Sequence, residues 1–302
     1  MYCGAKPVFA DIDAKTYNIL PGEIEKKITE RTKAIIPVHF AGQSCDMEAI
    51  VNIVKTAEKK YGRKIYIIED ACHALGSLYK NSKLGSCTFS DMTTMSFHPV
   101  KHITTGEGGI VLTNDDTLYK KLQRYRSHGI TNDPNELQSN PGMWYYEQID
   151  LGYNYRITDI QCALGISQLS KLPSFLQRRR EIVDKYNEAF QDIDNIRIPF
   201  ESKDCDSNLH LYVLQIDFDR IGLQRNQFML ALRSKRIASQ VHYIPVYSHP
   251  YYRNKFQYKS EEYLNNEEYY KKCLSIPLFP NMSNKDVEKV INAIIHLVRG
   301  NQ

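Results

Sequence analysis

Lys101 stands in the stretch SFHPVKHITTGEGG, residues 96–109, behind an apolar run and a proline and ahead of a Thr/Gly turn. A lysine taken out of water is costly unless it is paired or used. Once its pKa is lowered by such a site, its amine becomes a nucleophile toward a carbonyl. A carboxylate that could answer it is Asp70, which ends the apolar run KIYIIED, residues 64–70. In a doubly wound parallel sheet ligands sit beyond the carboxyl ends of the strands. Asp70 and Lys101 both follow strands, so they are expected on one rim.

Pyridoxal 5′-phosphate would use such a pair. Its aldehyde condenses with an amine, and its ring accepts electrons from a carbanion when an acidic group keeps the pyridine nitrogen protonated. Asp70 suits that task. A phosphate dianion also needs hydroxyls, N–H groups or helix N-termini, and Ser96 with the TTGEGG turn offers them. Each feature alone has an ordinary reading: a strand-end cap for Asp70, a surface charge for Lys101, a tight turn for the glycines. That turn is neither G-x-G-x-x-G nor a Walker loop.

The elements that must hold these residues read as α/β. Residues 6–12 (KPVFADI), 33–40 (KAIIPVHF), 64–70, 92–97 (MTTMSF) and 108–114 (GGIVLTN) have the pattern of strands. Residues 46–61 repeat apolar positions at Met47, Ile50, Val51, Val54 and Ala57, the spacing of a helix. Strand, helix and strand make a right-handed βαβ unit. A helix over 116–126 follows the capping sequence TNDD, and the composition of 133–144 marks a loop. A helix over 158–172 is broken at Pro173 and resumes after it. Beyond lie a strand at HLYVLQID, a helix at RNQFMLALRSKR, a strand at SQVHYIP and a terminal helix at NKDVEKVINAIIHLVRG. The expected division is a large domain, 1–172, with a mainly parallel sheet, and a small C-terminal α+β domain, 173–302. The run QRRRE, with Arg178, Arg179 and Arg180, reads as a solvated helix face.

Composition narrows the function. The chain has 302 residues, 42% apolar and 25% charged, with a net charge of +4. That charge makes no case for nucleic acid and is compatible with an anionic small ligand. Seven cysteines without a C-x-x-C pair exclude metal or redox spacing, and reduced thiols of a cytoplasmic protein are expected. No stretch reaches the roughly 18 apolar residues of a membrane span, and the first residues lack the pattern of a signal peptide.

Three blocks in this order, IIEDACHALGSLY, SFHPVKHITTGEGGIVLTND and LGYNYRITDIQCALGISQL, resemble the signatures of the sugar aminotransferase family of DegT/DnrJ/EryC1/StrS type. The resemblance implies the aspartate-aminotransferase fold, fold type I of the PLP-dependent transferases, and runs from Gly4 almost to the C-terminus. The wording is nearest to members of the pseudaminic acid pathway, which aminate a UDP-linked 4-keto-6-deoxy-N-acetylhexosamine with glutamate as donor. By this resemblance Lys101 carries the cofactor and shuttles a proton. Asp70 partners the pyridine nitrogen, His73 lies close to the ring, and Ser96 holds the phosphate. Asn154 reaches the phosphate in the neighbouring subunit, which implies a homodimer with shared sites. Arg156 is structural or substrate-facing. His242 and Tyr243, with His210 to Tyr212, resemble substrate-wall positions, although an aromatic strand face packed in a core is an equal reading. A lysine at 101, where related sugar dehydratases have histidine, argues for amino transfer. Members carry several dozen residues ahead of YCGAKPVF, with a Gly-Thr phosphate turn and an aromatic on the ring, and those contacts are expected outside this sequence. Two alternatives stay open: a folded remnant that binds nucleotide-sugar without catalysis, and an aminotransferase for another nucleotide-linked keto-sugar.

Overall fold

The computed structural model describes residues 1–300. An extended opening leads into α1 (Pro21–Lys27), which starts on a proline whose missing N–H costs nothing there. After β1 (Ala34–Ile35) comes α2 (Met47–Tyr61). Asp46 caps it by accepting from the Ala49 N–H, and Gly62 closes it at φ 66°. β2 (Tyr66–Asp70), the short hairpin of β3 (Leu78–Tyr79) and β4 (Ser82–Lys83), β5 (Met92–Ser96) and β6 (Gly109–Leu112) follow. The chain continues through α3 (Asp116–Arg126), β7 (Ile130–Thr131), β8 (Glu147–Gln148), α4 (Asp159–Leu169) and α5 (Leu172–Phe190). It ends with β9 (Ile196–Arg197), β10 (Cys205–Asp206), β11 (Tyr212–Ile216), α6 (Arg225–Ser234), α7 (Pro250–Phe256), α8 (Leu264–Lys272), β12 (Cys273–Ile276) and α9 (Asn284–Arg299).

The main sheet has the order β1-β2-β5-β6. Its first two pairings are parallel, and β6 returns antiparallel to β5 because residues 97–108 fold back as a closed loop. α2 covers one face of it, packing Met47, Ile50 and Val54 with Ile67 and Met95 of the strands. The continuous apolar run of β2 suggests cover on both faces. Among the described residues the other face is open instead, with Ile36, Val38, Tyr66 and Val111 exposed.

A second core forms around the antiparallel sheet β12-β11-β9, where every residue of β11 is buried. α5, α6 and α9 supply Ile182, Tyr186, Phe190, Phe228, Leu232, Val290 and Ile294 to it. The two halves interlock, since β10 pairs with β3 of the first half. α4 and α5 meet near Pro173, as expected, but the proline lies in the first turn of α5 rather than between the helices.

Two expected strands are absent. Residues 6–12 form only the isolated bridge Ile12–Ile19. Their side chains serve the C-terminal half instead: Phe9 meets Tyr247, Tyr252, Tyr258 and Tyr263, and Asp11 accepts from the Asn265 and Asn266 N–H groups at the start of α8. Residues 239–245 make one bridge, Gln240–Ser275, because the chain then turns toward the crevice.

The arginine run is also not a solvated face. Successive helical residues lie about 100° apart, so three neighbours cannot share one side. Arg178 reaches the Met282 carbonyl, Arg180 pairs with Glu201 and Asp206, and Arg179 is buried. Arg179 Nη1 donates to the carbonyls of Leu209, His210 and Leu278 at 3.0–3.2 Å, and burial lowers its pKa to about 10.

Leu214 lies at the centre of β11 and is fully buried. Leu214→Ala is expected to lower the unfolding free energy by about 2–5 kcal/mol, read from urea titration. Leu230→Ala, at an exposed position of α6, should stay within roughly 0.5 kcal/mol.

Candidate active site

Asp70 and Ser96 come to one rim by strand register. Asp70 lies opposite Thr94 in the parallel pair β2/β5, and Ser96 is two residues further along β5. The Asp70 main chain is held on one side by Pro37 and His39, and Ala71 N–H donates to the Thr94 carbonyl on the other. Its Oδ1 accepts from the Cys72 N–H at 3.1 Å, which turns the carboxylate along the 71–77 turn.

The Lys101 loop is closed at its neck. Phe97 N–H donates to the Gly108 carbonyl at 2.8 Å, and Thr105 N–H and the Thr104 hydroxyl donate back to the Phe97 carbonyl. The neck is tight: a Cβ on Gly108 would sit 2.4 Å from Thr105 Oγ1. His102, Ile103 and Thr105 are buried inside this loop, so Lys101 is left half-buried at its lip.

The lip faces Asp70. Burial lowers the Lys101 pKa below the ordinary lysine value, against an upward pull from Cys72 and Asp70. Burial also raises the Cys72 thiol to about 11, helped by its contact with Asp70, so it is a neutral neighbour. His73, buried in the turn after Asp70, is pushed down to about 4 by burial first and the Lys101 charge second. The His242 pKa is lowered by burial and then by Lys101. Its Nδ1 lies 2.7 Å from Ser275 Oγ, and Tyr269 donates to its carbonyl at 2.6 Å. Tyr243 is half-exposed at the edge, its ring 6.5 Å from that of His73.

Asp70, His73, Lys101 and His242 are therefore one cluster, with Ser96 at the adjoining strand end and Tyr243 at its mouth. Asn154 and Arg156 are not part of it. Both are exposed; Asn154 bridges Ser127, and Arg156 Nη2 lies 3.3 Å from His128 Nε2. They belong to a surface with Trp144, Leu151, Tyr155, Ile160 and Ile166, all well exposed. Tyr212 turns inward and donates to Asn187 in the second core.

The structure adds a row of histidines. The His210 ring lies 4.4 Å from His73 and 5.1 Å from His102. His102 Nε2 is 2.9 Å from the Asn208 carbonyl, which makes it a donor there. Burial, with Arg179 next, lowers His102 to about 3, and burial takes His210 well below its usual value. Three neutral rings thus lie between the Lys101 and Arg179 side chains. His210 was legible only through its resemblance to wall positions. His102 had no signal beyond following Lys101, and Arg179 had none.

This donor set fits a pyridine aldehyde phosphate: an amine, a carboxylate at a strand end, a hydroxyl beside a loop of N–H groups, and uncharged imidazoles. A crevice of this make on a mixed sheet with a small second unit is the build of an α/β group-transfer enzyme. The DegT/DnrJ/EryC1/StrS aminotransferase family model matches residues 1–295, and the chain belongs to that family. It is 44% identical over 298 residues to an uncharacterized protein of Methanocaldococcus jannaschii, covering 99% of this chain and 75% of that one. It is 42% identical over 301 residues to the spore coat polysaccharide biosynthesis protein SpsC of Bacillus subtilis, covering 99% of this chain and 75% of SpsC. Among solved structures it is similar to Helicobacter pylori PseC, described as an aminotransferase involved in the biosynthesis of pseudoaminic acid. That match has TM-score 0.88 and 32% identity, over 99% of this chain and 75% of the other. Spr1654 of Streptococcus pneumoniae in its PMP form matches with TM-score 0.88 and 31% identity, over 100% of this chain and 78% of that one. The fold is that of the type I PLP-dependent transferases.

With a folded pKa of about 4 against 6.5, His73 resists the proton that the unfolded chain accepts. Stability from neutral His73 is complete above pH 6.5 and is lost as pH falls toward 4. One such proton contributes a slope of about 1.4 kcal/mol per pH unit. His73→Gln is expected to flatten the stability curve by about that share in this window, measured by urea unfolding at stepped pH.

Proposed function

We propose that the chain transfers an amino group from glutamate to C4 of a UDP-linked 4-keto-6-deoxy-N-acetylhexosamine, a reaction of pseudaminic acid biosynthesis. The cofactor is pyridoxal 5′-phosphate. One observation carries the reading: the Lys101 amine is half-buried, with its ammonium disfavoured, beside the Asp70 carboxylate. The likeness to PseC supports the choice of sugar.

When bound, the cofactor supplies an aldehyde that receives amines and a ring that takes up the electrons left when a proton is removed. The residues do the rest. Lys101 Nζ, destabilised as an ammonium, would hold the cofactor at its aldehyde, and the same amine would take the glutamate α-proton and return a proton at the sugar side. Asp70 would hold the proton on the pyridine nitrogen. Ser96 Oγ would donate to the phosphate. His73 and His242 are neutral, so they orient substrate by hydrogen bonds without adding charge. Glutamate leaves as 2-oxoglutarate, and the keto-sugar leaves with the amino group.

Asn154 and Arg156 enter by way of a second subunit. Their exposed position, on a surface carrying Leu151, Ile160 and Ile166, supports a homodimer in which each copy completes the other's site. We take residues 1–172 as the cofactor-holding domain and 173–302 as the small domain. The setting is the cytoplasm; no helix among the described residues is long and apolar enough to cross a membrane. A second reading keeps the enzyme and changes the sugar, and the 42% identity to SpsC favours it.

Borohydride reduction of the PLP-treated chain, followed by peptide mapping, should place a pyridoxyl group on Lys101. Lys101→Ala should lose that label and at least about 10²-fold in kcat; an unlabelled native protein would sink the reading. Competition among UDP-, dTDP- and GDP-linked keto-sugars decides the substrate. Ile160→Lys should shift the sedimentation of the chain from dimer toward monomer.

A further inference from the structure

Glu69 and His39 lie beneath the crevice and take no part in the chemistry above, yet both are almost wholly buried. Glu69 immediately precedes Asp70, so alternation sends its side chain to the opposite face of β2. His39 Nε2 is 2.8 Å from Glu69 Oε2. The tautomer follows from the other nitrogen: Cys45 N–H donates to His39 Nδ1 at 3.1 Å. Nδ1 therefore carries no proton, and Nε2–H is the donor to the carboxylate. The Ser90 and Thr93 hydroxyls donate to Glu69 Oε1. Burial alone would raise the Glu69 pKa, but these donors outweigh it and hold the carboxyl below its usual value.

The pair anchors a segment that touches the site three times. His39 N–H donates to the Asp70 carbonyl at 3.0 Å, and Asp70 N–H donates to the Pro37 carbonyl at 2.9 Å. Ala41, two residues on, has φ 56°, a left-handed conformation that is uncommon without glycine and persists only where its surroundings enforce it. Its N–H donates to His73 Nδ1 at 3.4 Å, and its carbonyl accepts from His210 N–H at 2.9 Å. Gly42 then packs so closely that a Cβ would lie 2.0 Å from Asn208 Oδ1. Asp70, His73 and His210 are thus referred to one short stretch, 37–42, whose fixed point is the His39 ring.

We propose that His39, clamped on Glu69, is a positioning residue: it holds Asp70 in register and keeps His73 as the tautomer with Nδ1 accepting and Nε2–H free toward the crevice. This deepens the reading of Asp70 and Lys101 as cofactor-holding groups and rests on it for its catalytic consequence. Hydrogen-bonded partners behind a ligating or reacting group fix its tautomer and orientation.

Imidazole ¹⁵N spectra of the full chain without cofactor, followed over the range in which free histidine titrates, supply the first readout. The wild-type chain is expected to show His73 as one neutral tautomer with Nδ1 unprotonated. His39→Ala should give a mixture of both tautomers. His39→Gln should restore the single form, because its Oε1 can accept from Cys45 and its amide can donate to Glu69. Should His39→Ala fail to fold, His39→Asn, whose amide is too short to span both partners, makes the same comparison. In the PLP-loaded protein, His39→Ala should shift the pH at which the cofactor absorbance band changes, and His39→Gln should return it. A lowered unfolding midpoint with an unchanged His73 spectrum and an unchanged band would overturn the proposal, since that is all a structural role predicts. If the wild-type chain takes up no PLP while the His73 spectra behave as described, the cofactor reading fails and the positioning role stands.

Discussion

The Lys101 ammonium loses more by leaving water than it regains from its neighbours. Asp70 and Cys72 pull its pKa up, burial pulls it down further, and burial prevails. The lowered pKa of the Lys101 amine depends on that imbalance, and the fold maintains it in specific ways. Burying His102, Ile103 and Thr105 draws the loop inward until Lys101 is left at its lip. The nearest side chains are kept uncharged: the His73 and His242 imidazoles are lowered and the Cys72 thiol is raised. A second carboxylate here would pull the Lys101 pKa back up. The one that sequence places next to Asp70, Glu69, is turned to the far face of the strand and satisfied there by His39, Ser90 and Thr93.

Such a site needs polar groups deep inside, and their desolvation must be offset by hydrogen bonds. The junction between the two cores does this with side chains from distant parts of the chain. Ser77 Oγ donates to the Gly42 carbonyl and accepts from Asn208 N–H, and Asn208 Nδ2 donates to the Leu75 carbonyl. Arg179 closes the group from α5 by bonding three carbonyls, two of them in the Leu209–His210 strand entrance. These bonds hold the small sheet against the main one, while Arg179 Nε, Asn208 Oδ1 and His210 Nδ1 stay buried without a partner among the described residues. Loosening either unit therefore disturbs the histidines between them.

Where sequence reading failed, a competing contact explains it. Residues 6–12 have the composition of a strand, but a strand needs a partner, and Phe9 finds a cluster of four tyrosines some 240 residues later instead. The arginines 178–180 look alike as letters, and only the helical rotation that separates them assigns one to the interior. Asn154 and Arg156 carry a family signature, yet the single chain leaves both on its surface, apart from the Asp70–Lys101 cluster.

By itself the sequence determined the local pieces: the βαβ periodicity, the helices α2, α3 and α9, the turn after Ser96, and the strand ends at Asp70 and ahead of Lys101. These depend on spacing and composition over a few turns of chain, which a linear string preserves. Tertiary structure alone decided that the His73, His210 and His102 rings meet, that Arg179 is buried behind them, and that His39 underpins Asp70 from below. Those relations join residues that are remote in sequence through register and burial, and neither quantity exists until the strands have paired.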